Sequence, residues 1–118
     1  MIPPNLIELF NHINEEHYDN VIHSIPVVWN TRMRTTAGYC RFKRQYQDVV
    51  PRQIDLNKRL FEKSGWDLHK IKGTLIHEMV HAYLVQEFNE RGHSYRFHQK
   101  MIEITGEVKN HRCHNYDT

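Results

Sequence analysis

Leu68-His69-Lys70-Ile71-Lys72-Gly73-Thr74-Leu75-Ile76-His77-Glu78-Met79-Val80-His81-Ala82-Tyr83-Leu84-Val85-Gln86-Glu87-Phe88 is the stretch on which the fold turns. Its apolar residues Leu68, Ile71, Leu75, Ile76, Met79, Val80, Tyr83, Leu84 and Phe88 recur at the helical period. That predicts one long helix. Asp67 can cap its start, and Arg91-Gly92 marks its end, because glycine enters left-handed backbone angles at little cost. His77 and His81 are four residues apart and share a helix face, so their imidazoles can converge on one ion. Glu78 lies about 100° round the helix from His77. From there its carboxylate can reach a water on that ion, take its proton and return it to a leaving amine.

A hydrolytic zinc site uses three protein ligands and leaves a fourth position to water. The metzincin arrangement would place glycine at position 84 and histidine at position 87, where this chain has Leu84 and Glu87, so that class is excluded. His93 is the stronger third candidate: Gly92 lets the chain reverse after the long helix and bring the next helix back over the metal. Glu103 is the weaker alternative, and His98 reads as a surface or supporting residue. The next helix starts near Ser94, turns Phe97, Met101, Ile102 and Ile104 inward, and stops at Gly106.

Outward from these helices, Leu6, Leu9, Phe10 and Ile13 predict a first helix capped by Asn5. Ile25 to Trp29 and Thr35 to Phe42 read as strands, and Gln53 to Asn57 as a third, short one. Gly38 inside the second run signals a bulge or a close backbone approach. No repeat or linker-like run interrupts the chain, which predicts a single domain over residues 1–118.

The 118 residues carry a net charge of only +2 and a mean hydropathy of -0.74, with no apolar run long enough for a membrane span. Met1-Ile2-Pro3-Pro4-Asn5 lacks the shape of a signal peptide, and two cysteines are too few for a secreted disulfide framework. A soluble intracellular protein is expected. The charge is unevenly spread: Arg32, Arg34, Arg41, Lys43, Arg44, Arg52, Lys58 and Arg59 face only Asp48 and Asp55 in that interval, and the rest of the chain is net acidic. Such a concentration can form a local positive field for nucleic acid, as well as an ordinary solvated surface.

Other residues have blander readings. His111, Cys113 and His114 have zinc-compatible side chains but no matching second ligand pair, so packing of the tail is expected. Cys40 has no histidine near it in sequence and reads as core. Trp29 and Tyr83 also read as core, whereas Trp66, beside Gly65, is the better candidate for an exposed aromatic.

Val27-Val28-Trp29-Asn30, Arg34-Thr35-Thr36-Ala37-Gly38-Tyr39-Cys40-Arg41, His77-Glu78-Met79-Val80-His81-Ala82-Tyr83, Gly92-His93 with Phe97, and Arg112-Cys113-His114-Asn115-Tyr116 together resemble the SprT-like metallopeptidases of the Spartan and germ cell nuclear acidic peptidase type. The resemblance spans nearly the whole chain and implies zinc ligands His77, His81 and His93 with Glu78 as acid/base. It also implies substrates that are proteins crosslinked to or bound on DNA, contact with DNA including single-stranded regions, and a nuclear setting, or a nucleoid-associated one in a prokaryote. Relatives often follow the third histidine with Gly-Pro, where this chain has Ser94-Tyr95, and often continue into a cysteine-rich zinc ribbon. The expected architecture is α+β of zincin type, a small sheet packed against the HExxH active-site helix. The expected function is zinc-dependent endopeptidase activity, with DNA contacts at Arg32, Arg34, Arg41, Lys43 and Arg44. Two rival readings are a noncatalytic zinc-stabilised nucleic-acid-binding module and a zinc peptidase not coupled to DNA. The retained Glu78 counts against the first, since a structural site would take a fourth protein ligand and has no use for a carboxylate there.

Overall fold

Alternation in the third strand sets the layering. Ile54 and Leu56 are completely buried in the main apolar cluster, while Asp55 between them belongs to the opposite face of the sheet. The structure, a computed structural model, describes residues 3–106. Along the chain run α1 (Leu6–Tyr18), β1 (Val27–Asn30), β2 (Gly38–Gln45), β3 (Asp48–Asn57), α2 (Lys58–Lys63), α3 (Leu68–Phe88) and α4 (Tyr95–Thr105). The fold is α+β: β3 is the central strand of a three-stranded sheet, parallel to β1 and antiparallel to β2.

One apolar core joins the layers. Phe10 and Ile13 of α1, Val27, Ile54 and Leu56 of the sheet, Ile71, Leu75 and Met79 of α3, and Phe97 and Met101 of α4 all belong to it. Each such side chain stabilises the fold by about 1.5–3 kcal/mol when fully buried. The middle of α3 is enclosed on most of its circumference, so Thr74, His77, Glu78 and His81 are buried together with its apolar residues. Keeping polar groups inside costs free energy unless they are bonded or serve a ligand. Their burial together on one helix is the first structural sign of a site. No helix of the described residues is long and apolar enough to cross a membrane.

The helix starts follow the sequence reading. The Asn5 side chain accepts from the N–H groups of Ile7 and Glu8 at 3.0 and 3.1 Å, Asp67 accepts from Lys70 at 3.2 Å, and Ser94 accepts from Phe97 at 3.3 Å. Several boundaries differ, among them β1, which starts two residues later and ends one residue later than read. Helix α3 closes at Asn89, which takes the left-handed conformation at φ 52°, so Gly92 with φ 83° turns the following loop instead. The second strand starts at Gly38, because the Asn57 amide donates to the carbonyls of Arg34 and Thr36 and holds that run as a loop. The third strand begins at Asp48: Val49 and Val50 pair with Arg44 and Lys43, and Pro51 sits at the register shift opposite Phe42. Asn57 also caps the short α2, which the alternating pattern before it did not foretell.

Trp66 is a correction. It is only 8% exposed, its ring lies 5.2 Å from that of Trp29 edge-on, and consecutive left-handed residues, Gly65 and Trp66, turn it inward. It offers no exposed stacking surface. Trp29 and Tyr83 pack against the core and Cys40 is buried in it, as expected. His111, Cys113 and His114 lie outside the described residues.

Candidate metal centre

Three histidines meet where α3 passes the start of α4. His77 and His81 come from successive turns of α3, with ring centroids 5.1 Å apart. His93 comes from the loop turned by Gly92, with its ring 5.1 Å from His77 and 5.0 Å from His81. One ligand atom from each lies within 4.8 Å of the other two, and this is the sole group of three or more potential ligands among the described residues. Phe97, fully buried on the first turn of α4, lies 4.6 Å from the His81 ring and 4.9 Å from His77, and stacks on His93 at 4.4 Å. An apolar ring behind three imidazoles limits their rotation and keeps the site's dielectric low, two conditions that strengthen ligand geometry.

The donor set fits zinc. Three imidazoles are borderline-soft nitrogen ligands, and a group of three leaves one position of a four-coordinate ion over. The alternative third ligand, Glu103, is turned away: its carboxylate is largely exposed and pairs with Lys100 at 3.4 Å. His98 lies with its ring 6.3 Å from His93 and is not in the three-histidine group.

Glu78 is 1% exposed and sits on the side of α3 that meets β2. The sequence reading marked Gly38 as a bulge or a close approach; the bulge lies instead between Arg41 and Phe42, and Gly38 is the close approach. Cys40, two residues along the same strand face, is an inert thiol. Burial pushes its pKa far up, and the negative charges of Glu78 and Asp55 push it further.

The basic candidates separate into three groups. Arg32 and Arg34 are exposed in the β1–β2 loop, whose backbone is held by the Asn30 side chain, accepting from Arg32 and Met33, and by Asn57. Arg41 is committed elsewhere: its guanidinium pairs with Asp55 at 2.8 Å and lies over the Tyr39 ring. Burial alone would raise the Asp55 carboxyl, but hydrogen bonds from Gln53, Asn30 and Arg41, with the Arg41 charge, hold it below the usual carboxylate range. Lys43 and Arg44 are exposed near the hairpin turn, beside Tyr46, which is 92% exposed at φ 58°.

Residues 6–115 match the SprT-like family. The chain belongs to that family. It is 30% identical over 105 residues to the DNA-dependent metalloprotease SPRTN of Homo sapiens, covering 86% of this chain and 20% of the human protein. The SPRTN proteins of Mus musculus and Rattus norvegicus match to the same extent. The chain therefore spans about a fifth of the length of the curated relatives it matches.

Proposed function

We propose that this chain is a single zincin-type metallopeptidase domain that cleaves proteins held on DNA. The observation that carries the reading is the meeting of His77, His81 and His93 beside a buried Glu78 on one helix. Membership of the SprT-like family and similarity to a DNA-dependent metalloprotease support it independently.

In this reading His77, His81 and His93 hold zinc through neutral imidazole nitrogens. Bound there, zinc supplies a Lewis acid that acidifies a water and takes up negative charge developing on the scissile carbonyl oxygen. Glu78 accepts the proton of the attacking water on a carboxylate oxygen as the new C–O bond forms and gives a tetrahedral adduct, then donates that proton to the departing amine nitrogen as the adduct collapses and the peptide C–N bond breaks. Substrate is aligned by main-chain pairing along β2, which pairs only with β3 among the described residues and whose Gly38 lies against α3 at Glu78. Main-chain pairing reads backbone more than side chains, which accounts for weak sequence preference. DNA delivers the substrate through the basic residues of the β1–β2 loop and the β2–β3 hairpin, and the setting of such work is the nucleus, or the nucleoid in a prokaryote.

Cleavage of a protein bound to single-stranded DNA, with and without DNA and a chelator, tests the reading, with Glu78→Gln beside the native chain. Glutamine keeps the shape and removes the base, so the variant retains zinc and loses cleavage by at least the 10²-fold scale of general-base catalysis, roughly. Wild-type cleavage by Glu78→Gln, or cleavage indifferent to the chelator, sinks the mechanism. Cleavage that persists without DNA keeps the peptidase and removes the coupling.

A further inference from the structure

We propose that Gly38 is a positioning residue for Glu78: the missing side chain on β2 sets where the Glu78 stem lies. The inference rests on the reading of Glu78 as the proton carrier.

Gly38 is wholly inside the molecule, paired with Leu56 of β3. Its φ is not among the positive values of the described backbone, so conformational freedom does not explain a glycine here. Space does. A Cβ at this position would lie 2.7 Å from Thr74 Cγ2, 3.1 Å from Glu78 Cγ and 3.2 Å from Leu56 Cδ2. Carbon atoms prefer about 3.5–4.0 Å. Thr74 and Glu78 are one helical turn apart, so the β2 backbone rests directly on the face of α3 that carries Glu78. A strand backbone that leaves less than a methyl group's room beside Glu78 Cγ restricts the rotamers of its buried side chain and thereby the placement of its carboxylate.

Thr74 is the other half of the seat. It is β-branched and therefore stiff in a helix, and its hydroxyl is a buried polar atom without a hydrogen-bond partner among the described residues. A methyl on residue 38 collides with its Cγ2 first, a packing effect, and with Glu78 Cγ second, a positioning effect. The two collisions can be separated by mutation.

Gly38→Ala, Gly38→Ala/Thr74→Ala and Glu78→Gln are compared with the native chain, loaded with zinc. The measurements are kcat and KM on an unstructured lysine-rich polypeptide bound to single-stranded DNA, zinc content, and the unfolding midpoint with and without zinc. Displacing the carboxylate by a few tenths of an ångström lowers kcat by about threefold to tenfold, on the scale where 1 Å costs about a hundredfold. In Gly38→Ala the expected result is that fall in kcat with KM and zinc content little changed, together with a lower midpoint in both metal states. Removing Thr74 Cγ2 restores the midpoint, while kcat stays low because Glu78 Cγ is still crowded. Wild-type kcat in zinc-loaded Gly38→Ala overturns the inference. So does loss of zinc in that variant, or recovery of kcat in step with the midpoint in the double variant, which would make Gly38 a packing residue only. If Gly38→Ala fails to fold, the double variant decides on the same terms. Full cleavage by Glu78→Gln would instead locate the failure in the assigned role of Glu78; an inactive Glu78→Gln beside a fully active Gly38→Ala would leave that role standing and remove only the part given to Gly38.

Discussion

At the scale of single residues, the three histidines differ in how they are held. His77 and His81 are fixed by the helix, whereas His93 depends on the left-handed Gly92 and on stacking against Phe97. In the proposed site His93 is the residue whose removal separates metal binding from folding, because α3 and its core packing do not need it. His93→Ala is expected to lower zinc affinity by more than the roughly 10–100-fold that loss of a merely supporting group costs. Glu103→Ala, whose carboxylate pairs with Lys100, should leave affinity unchanged. Competition with a chromophoric chelator measures both, and the opposite ranking would show the third ligand to be misassigned. That His77 and His81 come together was legible in the sequence, because helical spacing alone decides which side chains share a face. The nearness of His93 to them was legible only as a preference over Glu103, since its approach depends on a loop that no periodicity describes.

At the scale of elements, the sheet depends on polar anchors as much as on its apolar face. Asp55 of β3 collects Asn30 of β1 at 2.9 Å, Arg41 of β2 at 2.8 Å and its own strand's Gln53 at 2.6 Å, so one buried carboxylate ties all three strands. Its folded pKa lies below the unfolded value, so the folded state binds fewer protons in that window. The stability it contributes is therefore present above the unfolded carboxylate pKa, about 3.9, and is lost as pH falls through the lower folded value. Asp55→Asn should unfold at lower temperature than the native chain near neutrality, and the gap should shrink steadily below about pH 4. A gap that stays constant down to strong acid would mean that charge at this position contributes nothing. The starts of the long helices were legible because each rests on local signals: Asn5 and Asp67 cap as read, and α4 begins beside Ser94. Strand limits were not, since the start of β2 is set by Asn57 reaching back from β3 and the start of β3 by pairing across the hairpin. Gly38 was legible as a close approach, but its partners on α3, 36 and 40 residues onward in sequence, were not.

At the scale of the whole molecule, the question is which part of the basic segment can meet DNA. The sequence treats Arg41, Lys43 and Arg44 alike; the fold does not. Arg41 is half-exposed but its guanidinium pairs with the buried Asp55, so replacing it would confound binding with stability. Lys43 and Arg44 stand exposed beside Tyr46, which projects from the hairpin turn at 92% exposure, and Trp66 is excluded as a stacking partner by its burial. Cations flanking one exposed aromatic ring suit a single strand, with the cations on phosphates and the ring on a base. Lys43→Ser/Arg44→Ser/Tyr46→Ser should therefore bind a single-stranded oligonucleotide more weakly and flatten the logarithmic salt dependence by roughly 0.7 for each phosphate no longer neutralised. Its zinc content and unfolding temperature should stay native, because none of the three is a buried core residue. Cleavage of a DNA-bound protein should fall while cleavage of a free peptide is kept, which distinguishes delivery of substrate from chemistry at Glu78. Fluorescence anisotropy across a salt series reads the binding. Unchanged affinity and slope would exclude the hairpin as the DNA-binding surface and leave the β1–β2 loop, with Arg32 and Arg34, as the basic surface to test next.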